Sequence, residues 1–169
     1  MSITDTNRLA VTIRASRAED APILHAFVDG AIERLAYGEG ARSAFATALA
    51  GSSDEARALV AVRDGQPIGV VVYGAIAGTM AAGRIQLVVV DATFRRRGIG
   101  SALVRAALTA LARERIRVAF IELAGDAALA EASAFLTAAG FSVEAAVSDY
   151  YRDGVDLLVL RRELLVSEG

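Results

Sequence analysis

Apolar side chains recur at helical spacing from Ser16 to about Ala36, where Leu24, Phe27, Val28, Ala31 and Leu35 fall on one face. Ser16 and Glu19 have the spacing of a capping box, with Pro22 near the start of the same helix. Leu9–Ile13 alternates as a strand does, and a short helix is predicted over Ala41–Ala50. Leu59–Arg63 and Ile68–Ala77 are rich in β-branched residues and flank the turn-forming Asp64-Gly65-Gln66-Pro67, the pattern of a hairpin. Arg84–Val90 reads as another strand. The period becomes helical from Gly98 to about Arg115, with Leu103, Ala107, Leu108 and Leu111 on one side and Arg105, Thr109 and Arg113 on the other. Val118–Leu123 reads as a buried strand and Ala128–Ala139 as a helix closed by Gly140, where a left-handed cap belongs. Strands at Phe141–Val147 and Val155–Arg161 complete the chain. This order predicts a mixed α/β domain rather than a regular strand-helix repeat.

The composition limits what such a domain can be. With 169 residues and 54% hydrophobic residues, the chain can close one sizeable core, so a single domain over 1–169 is expected. The absence of cysteine removes disulfides, thiolate metal sites and cysteine nucleophiles, and one histidine leaves little for a metal, so none is expected. The polar start MSITDTNR and the short apolar runs indicate neither a signal peptide nor a membrane span, and a soluble cytoplasmic protein is expected. A net charge of −2 argues against a nucleic-acid partner, which needs a basic face.

The positive charge is local. Val88-Val89-Val90-Asp91-Ala92-Thr93-Phe94-Arg95-Arg96-Arg97-Gly98-Ile99-Gly100-Ser101 runs from a strand, through a basic loop with glycines, into a helix. The first amides of a helix have no internal partner and carry the positive end of its dipole. Glycines let an anion approach the backbone, and arginines add donors shaped for phosphate. The segment therefore suits a pyrophosphate.

Arg95-x-x-Gly98-x-Gly100 in this context resembles the Q/R-x-x-G-x-G/A motif with which GNAT superfamily N-acetyltransferases hold the pyrophosphate of coenzyme A. Ala139-Gly140-Phe141, Tyr150–Asp156 and Leu160–Leu164 resemble later parts of that family, and the likeness spans roughly residues 10–164. It implies a mostly antiparallel sheet of six to seven strands with splayed central strands, flanked by about four helices. It also implies acetyl-coenzyme A as co-substrate, a small-molecule or protein amine as acceptor, and a homodimer. The coenzyme-binding residues it implies are Val88, Val89 and Val90, whose strand would pair with the pantetheine arm, and Arg95, Arg96, Arg97, Gly98, Ile99, Gly100 and Ser101 of the loop. A dinucleotide fold competes, because Gly98-x-Gly100 lies between strand and helix and Glu122 follows about 20 residues on. Leu103 at the third glycine position and the seven residues between Val90 and Gly98 oppose it.

The implied reaction is direct attack of a neutral amine on the thioester. An alkylamine with pKa near 10.4 costs roughly 4 kcal/mol to deprotonate at neutral pH, so a base is expected. Glu122, in an apolar run on the strand facing the coenzyme slot, is the first candidate, since a carboxylate there must be paired or hold its proton more tightly. The alternative is a solvated or salt-bridged carboxylate at a strand end. Asp91 is a second candidate, with loop capping as its other role. By its offset from Gly140-Phe141, Leu136 stands where many relatives carry a tyrosine that protonates the departing thiolate. Tyr150 or Tyr151, from the loop between the last strands, is the candidate substitute. An alternative function follows from the same leucine: a domain that binds acyl-coenzyme A as a sensor or assembly subunit without turnover.

Leu129 similarly replaces an asparagine of the family. Phe27, Tyr37 and Phe45 lie on elements that resemble the acceptor side. Glu33, Glu39, Asp149, Asp153 and Asp156 border it by likeness and would favour a cationic amine.

Overall fold

The structure is a computed structural model that describes residues 10–35, 37–51 and 53–165. Among these residues, seven strands form one sheet: β1 (Thr12–Ala15), β2 (Arg57–Arg63), β3 (Gln66–Ala75), β4 (Ala82–Val90), β5 (Val118–Ala124), β6 (Ser142–Arg152) and β7 (Val155–Glu163). Four helices flank it: α1 (Ala21–Glu33), α2 (Glu39–Ala50), α3 (Ile99–Arg113) and α4 (Ala130–Ala138). The order across the sheet is β1-β2-β3-β4-β5-β7-β6, antiparallel throughout except between β4 and β5. A doubly wound dinucleotide fold needs a parallel sheet, so that alternative is excluded.

Period-two alternation divides the core. Val60, Val70, Val72, Leu87 and Val89 face α1 and α2, where they meet Leu24, Val28, Ile32 and Phe45. Ala61, Val71 and Ile85 face the opposite way, against Leu103, Ala107, Leu108 and Leu111 of α3. The apolar stripe predicted for α3 is thus the stripe buried. Leu103, too large for the third glycine of a dinucleotide motif, is fully enclosed. On α1 the buried residues are Leu24, Val28 and Ile32, with Phe27 and Ala31 only partly covered.

Several boundaries differ from the sequence reading. The predicted first strand began at Leu9, which lies outside the described residues, and the predicted end of the first helix, Ala36, does so as well. The Ser16/Glu19 box does not start α1. The Ser16 amide instead bonds the Ala58 carbonyl at 3.0 Å, and a 3-10 turn (Ala18–Asp20) intervenes. Asp20 takes the capping role: its Oδ2 accepts the Arg17 amide at 2.8 Å, and both its oxygens accept Arg14 at 2.7 and 2.8 Å. The β2–β3 turn contains only Asp64 and Gly65, both with positive φ (50° and 78°), so Gln66 and Pro67 already belong to β3. A two-residue loop with that geometry matches the twist of the strands it joins.

The last hairpin shows the largest difference. β6 runs to Arg152 rather than ending at Val147, so Tyr150 and Tyr151 lie on a strand and not in a loop. Asp149, at φ 52°, absorbs an irregularity in the pairing with β7. Its Oδ1 accepts the Gly154 amide at 2.6 Å, and its own amide donates to Asp156 Oδ1 at 3.0 Å. These two acidic residues thus build the turn.

Candidate active site

The parallel partners β4 and β5 pair only over Ala82–Arg84 and Val118–Phe120. Beyond that, β4 continues six residues to Val90 and β5 four residues to Ala124 without pairing with each other, so the sheet opens toward its C-terminal ends. This is the splay expected from the resemblance, and it leaves one edge of β4 without a strand partner.

The amide directions on that edge follow from one bond. The Asp91 amide donates to the Ile68 carbonyl of β3 at 2.9 Å. Alternation along a strand then sends the Val89 amide toward β3 as well, and those of Val88 and Val90 into the opening. The Val90 carbonyl confirms the direction, because it accepts Arg95 Nε at 3.0 Å on that side. Two of the three valines singled out from the sequence therefore present backbone groups to the opening. Val89 instead buries its side chain under the first two helices.

The loop after β4 is pinned at both ends. Asp91 Oδ1 accepts the Thr93 amide at 2.8 Å and caps a 3-10 turn over Ala92–Phe94, the capping role weighed for it against a catalytic one. Arg96 (φ 62°) and Gly98 (φ 79°) then adopt left-handed conformations, and Gly98 becomes the cap residue of α3. A side chain at Gly98 would meet nothing within 4 Å but would be strained by its φ, so conformation and not crowding selects glycine here. Ile99 buries its side chain, so only its backbone faces outward. The Ala102 amide is the first to close a helical bond, to Gly98 O at 3.0 Å, which leaves the amides of Ile99, Gly100 and Ser101 without intrahelical partners. Arg95, Arg96, Arg97 and Ser101 are exposed, and Arg97 lies over the Phe94 ring at 5.8 Å. A Cβ on Gly100 would lie 3.5 Å from Phe135 and 3.8 Å from Val90, so α4 closes in on the loop at that point. Left-handed glycine, outward amides, exposed guanidiniums and an unpaired strand edge fit a pyrophosphate with an extended amide-bearing arm.

On the other side of the opening, Glu122 lies on β5 opposite Val159. It is exposed, whereas its neighbours Ile121 and Leu123 pack toward α3, so the enclosed carboxylate anticipated from the apolar run is not found. The reason is alternation: an apolar run along a strand places every second residue on the opposite face. Tyr151 is half-buried. Burial first, and then the Glu122 charge with Tyr150 and Tyr37, hold its phenol above the ordinary value of 10.0. Its ring lies 4.4 Å from Tyr37 and 5.0 Å from Tyr150. Arg152 joins three segments, donating from Nε to the Tyr37 hydroxyl at 2.8 Å and from Nη2 to Asp126 Oδ2 at 3.1 Å. The connection between α1 and α2, the loop after β5 and the end of β6 thus meet at one place. Of this group, Tyr37 was flagged from the sequence as an acceptor-side aromatic, but Arg152 and Asp126 were not assigned to a site. Tyr37 and Arg152 are 115 residues apart, and no local pattern links them.

Leu136 is buried among Phe141 and Leu160 in the core under α3 and α4, so this position offers no proton donor. Leu129 stands at the start of α4. His25 pairs with Asp29 one turn along α1 and touches the Phe45 ring edge, away from the opening between β4 and β5. Among the described residues, no group of three or more His, Asp or Glu side chains converges as a metal site would require. No helix among them is long and apolar enough to cross a membrane.

A sheet opened at a parallel pair, with the N-terminus of a helix beside the gap, is the arrangement that the resemblance to acyl-coenzyme A acyltransferases implies. The model of the acetyltransferase (GNAT) family matches residues 25–141, and the chain belongs to that family. Solved structures share the fold. A GNAT-family protein from Desulfovibrio desulfuricans has 24% identity and a TM-score of 0.81, over 92% of this chain and 100% of that one. A ribosomal-protein-alanine N-acetyltransferase from Brucella melitensis has 22% identity and a TM-score of 0.70, over 90% and 99%. The protein yncA from Salmonella typhimurium, solved with its cofactor acetyl-CoA, has 18% identity and a TM-score of 0.73, over 95% and 97%. A search of curated proteins finds no match to the chain.

Proposed function

We propose that the protein transfers an acetyl group from acetyl-coenzyme A to a primary amine, in a ternary complex and without a covalent enzyme intermediate. The observation that carries this reading is the opening of β4 from β5 directly beside the N-terminus of α3. The amides of Ile99, Gly100 and Ser101 with Arg95, Arg96 and Arg97 would hold the pyrophosphate. Bound acetyl-coenzyme A supplies the thioester. The Val88 and Val90 amides stand ready to donate where charge develops on its carbonyl oxygen, and such a donor is worth about 3 to 4 kcal/mol in acyl transfer.

Glu122 is the base in this reading and takes the proton from the incoming ammonium. Its exposure lets it act directly or through a water. Tyr151 keeps its proton through neutral pH and beyond, as a donor to the departing thiolate must, and in this reading it takes the role that the buried Leu136 cannot fill. Tyr150, 60% exposed, stands behind it as a packing neighbour. Tyr37, Tyr151 and Glu122 present aromatic faces beside a carboxylate, which favours an acceptor that carries positive charge. A homodimer belongs to the same reading through the family resemblance, and a cytoplasmic location through the polar start and short apolar runs of the sequence.

The test is release of free coenzyme A in the presence of a panel of small and peptide amines. Turnover supports the reading, and no turnover with any amine at millimolar concentration counts against it. Burial of Leu136 in place of a proton donor favours a second reading, in which the domain binds acyl-coenzyme A without turning it over. Tight coenzyme binding with no transfer, unchanged in Tyr150→Phe and Tyr151→Phe, would select that one.

A further inference from the structure

A cavity of about 330 Å3 lies at the end of the sheet between α1, the β2–β3 turn and the loop after β4. It is not the opening just described. Asp91, just past the end of β4, bonds Ile68 of β3, and both are on its wall, so the cavity lies on the β3 side of β4 and the gap on the other. Its volume is in the range of small-ligand sites, which are mostly apolar with a few placed polar groups. Ile23, Ala26 and Phe27 of α1, with Ile68 and Phe94, supply the apolar wall.

The polar lining carries both signs of charge. Arg63 extends over the Phe94 ring at 5.5 Å. Its Nε meets Asp64 Oδ2 at 3.3 Å, which leaves the terminal fork of the guanidinium for another carboxylate. Asp64 is 86% exposed, so that pair is a surface pair, weak and readily exchanged. Asp91 uses Oδ1 for the Thr93 amide and retains Oδ2. A ligand with only a carboxylate would answer Arg63 and meet the repulsion of Asp91 and of Asp64, which also lines the cavity; one with only an ammonium would answer Asp91 and leave the fork of Arg63 unmatched.

We propose that this cavity binds a free amino acid with a large apolar side chain. Its carboxylate pairs with Arg63, its ammonium with Asp91, and its side chain lies against Ile23, Ala26, Phe27 and Phe94. Asp91 and Phe94 also bound the turn that leads into Arg95 and Gly98, so occupancy stabilises the loop in the conformation that turns its amides outward. The amino acid therefore tightens coenzyme A binding. This last step rests on the coenzyme reading of the loop, whereas the site itself does not.

The experiment is titration of the purified full chain with L-phenylalanine and L-leucine, followed by calorimetry and by amide NMR shifts. Parallel titrations use 3-phenylpropionate, which lacks the ammonium, and phenethylamine, which lacks the carboxylate. We expect the amino acids to bind at least about tenfold more tightly than either analogue. Arg63→Met and Ala26→Trp should each weaken them by a similar factor; Ala26 is exposed on α1, so its replacement leaves the core intact. No binding of either amino acid at millimolar concentration overturns the site, as does equal binding by a single-charge analogue or undiminished binding in both variants. Coenzyme A titrated into the protein without and with saturating phenylalanine reads the coupling. An unchanged affinity overturns the coupling, while failure of coenzyme A to bind in either condition overturns the loop reading instead.

Discussion

Arg95 Nε donates to the Val90 carbonyl at 3.0 Å, which fastens the basic loop to the strand whose free edge lines the opening. One guanidinium thus does two things. It satisfies a carbonyl left without a strand partner, and it ties the loop that leads into α3 to the end of β4.

Replacing Arg95 removes both contributions. Arg95→Met is expected to weaken coenzyme A binding by about tenfold or more, since a charge-assisted bond is worth about 1.5 to 3 kcal/mol. Gly98→Ala should weaken it less and cost about 1 to 2 kcal/mol of stability, through the left-handed φ of 79°. Calorimetric titration with coenzyme A and denaturant unfolding separate the two effects. Unaltered coenzyme affinity in Arg95→Met would remove this arginine from the site.

Tyr151 and Tyr150 differ in surroundings, and their variants should differ accordingly. Tyr151→Phe is expected to lower kcat by about a hundredfold, the usual loss for a proton donor, with the KM for acetyl-coenzyme A little changed. Tyr150→Phe should retain most activity. Burial and the nearby Glu122 hold the Tyr151 phenol above 10.0. The kcat profile should therefore lose the acid form at higher pH than a free phenol would, and Glu122→Gln should move the high-pH limb downward.

The bond from Arg152 to the Tyr37 hydroxyl couples the first helical layer to the last hairpin across the open end of the sheet. Tyr37→Phe and Arg152→Met should raise the KM for the amine several-fold and leave the KM for acetyl-coenzyme A unchanged. Steady-state kinetics with each substrate varied in turn makes the comparison. Equal changes in both constants would assign the bond to general folding instead.

Asp20 offers a test of the fold that does not involve the site. It is 3% exposed, and its hydrogen bond with Arg14, followed by the Arg17 amide, holds its carboxyl below the ordinary 3.8. A depressed folded-state value means that its stabilisation is complete above the unfolded-state value and is lost as pH falls through the folded one. Asp20→Asn should cost about 2 kcal/mol near neutrality, and the difference from the parent should shrink below about pH 4. Chemical denaturation at several pH values would show it. A cost independent of pH would mean that packing alone is lost.

The sequence itself determined the order of elements, the stripe on α3, the presence of a turn between β2 and β3, the Gly140 cap and the loop from Val88 to Ser101. Each is a short-range property: periodicity, turn chemistry and helix-start amides depend on residues within a turn or two of one another. Motif resemblance supplied the splayed sheet in advance. Tertiary structure decided the rest. Which valine amides face the opening depends on the register with β3, and the exposure of Glu122 depends on which face of β5 it occupies. Tyr150 and Tyr151 lie on a strand that continues past Asp149, whose left-handed conformation brings its side chain to the Gly154 amide. The meeting of Tyr37, Asp126, Tyr151 and Arg152 required three distant segments to converge, and the cavity beside Asp91 required α1 to pack over a hairpin end. Contacts of that range leave no periodic trace in a chain, because they are set by how layers pack and not by any spacing along it.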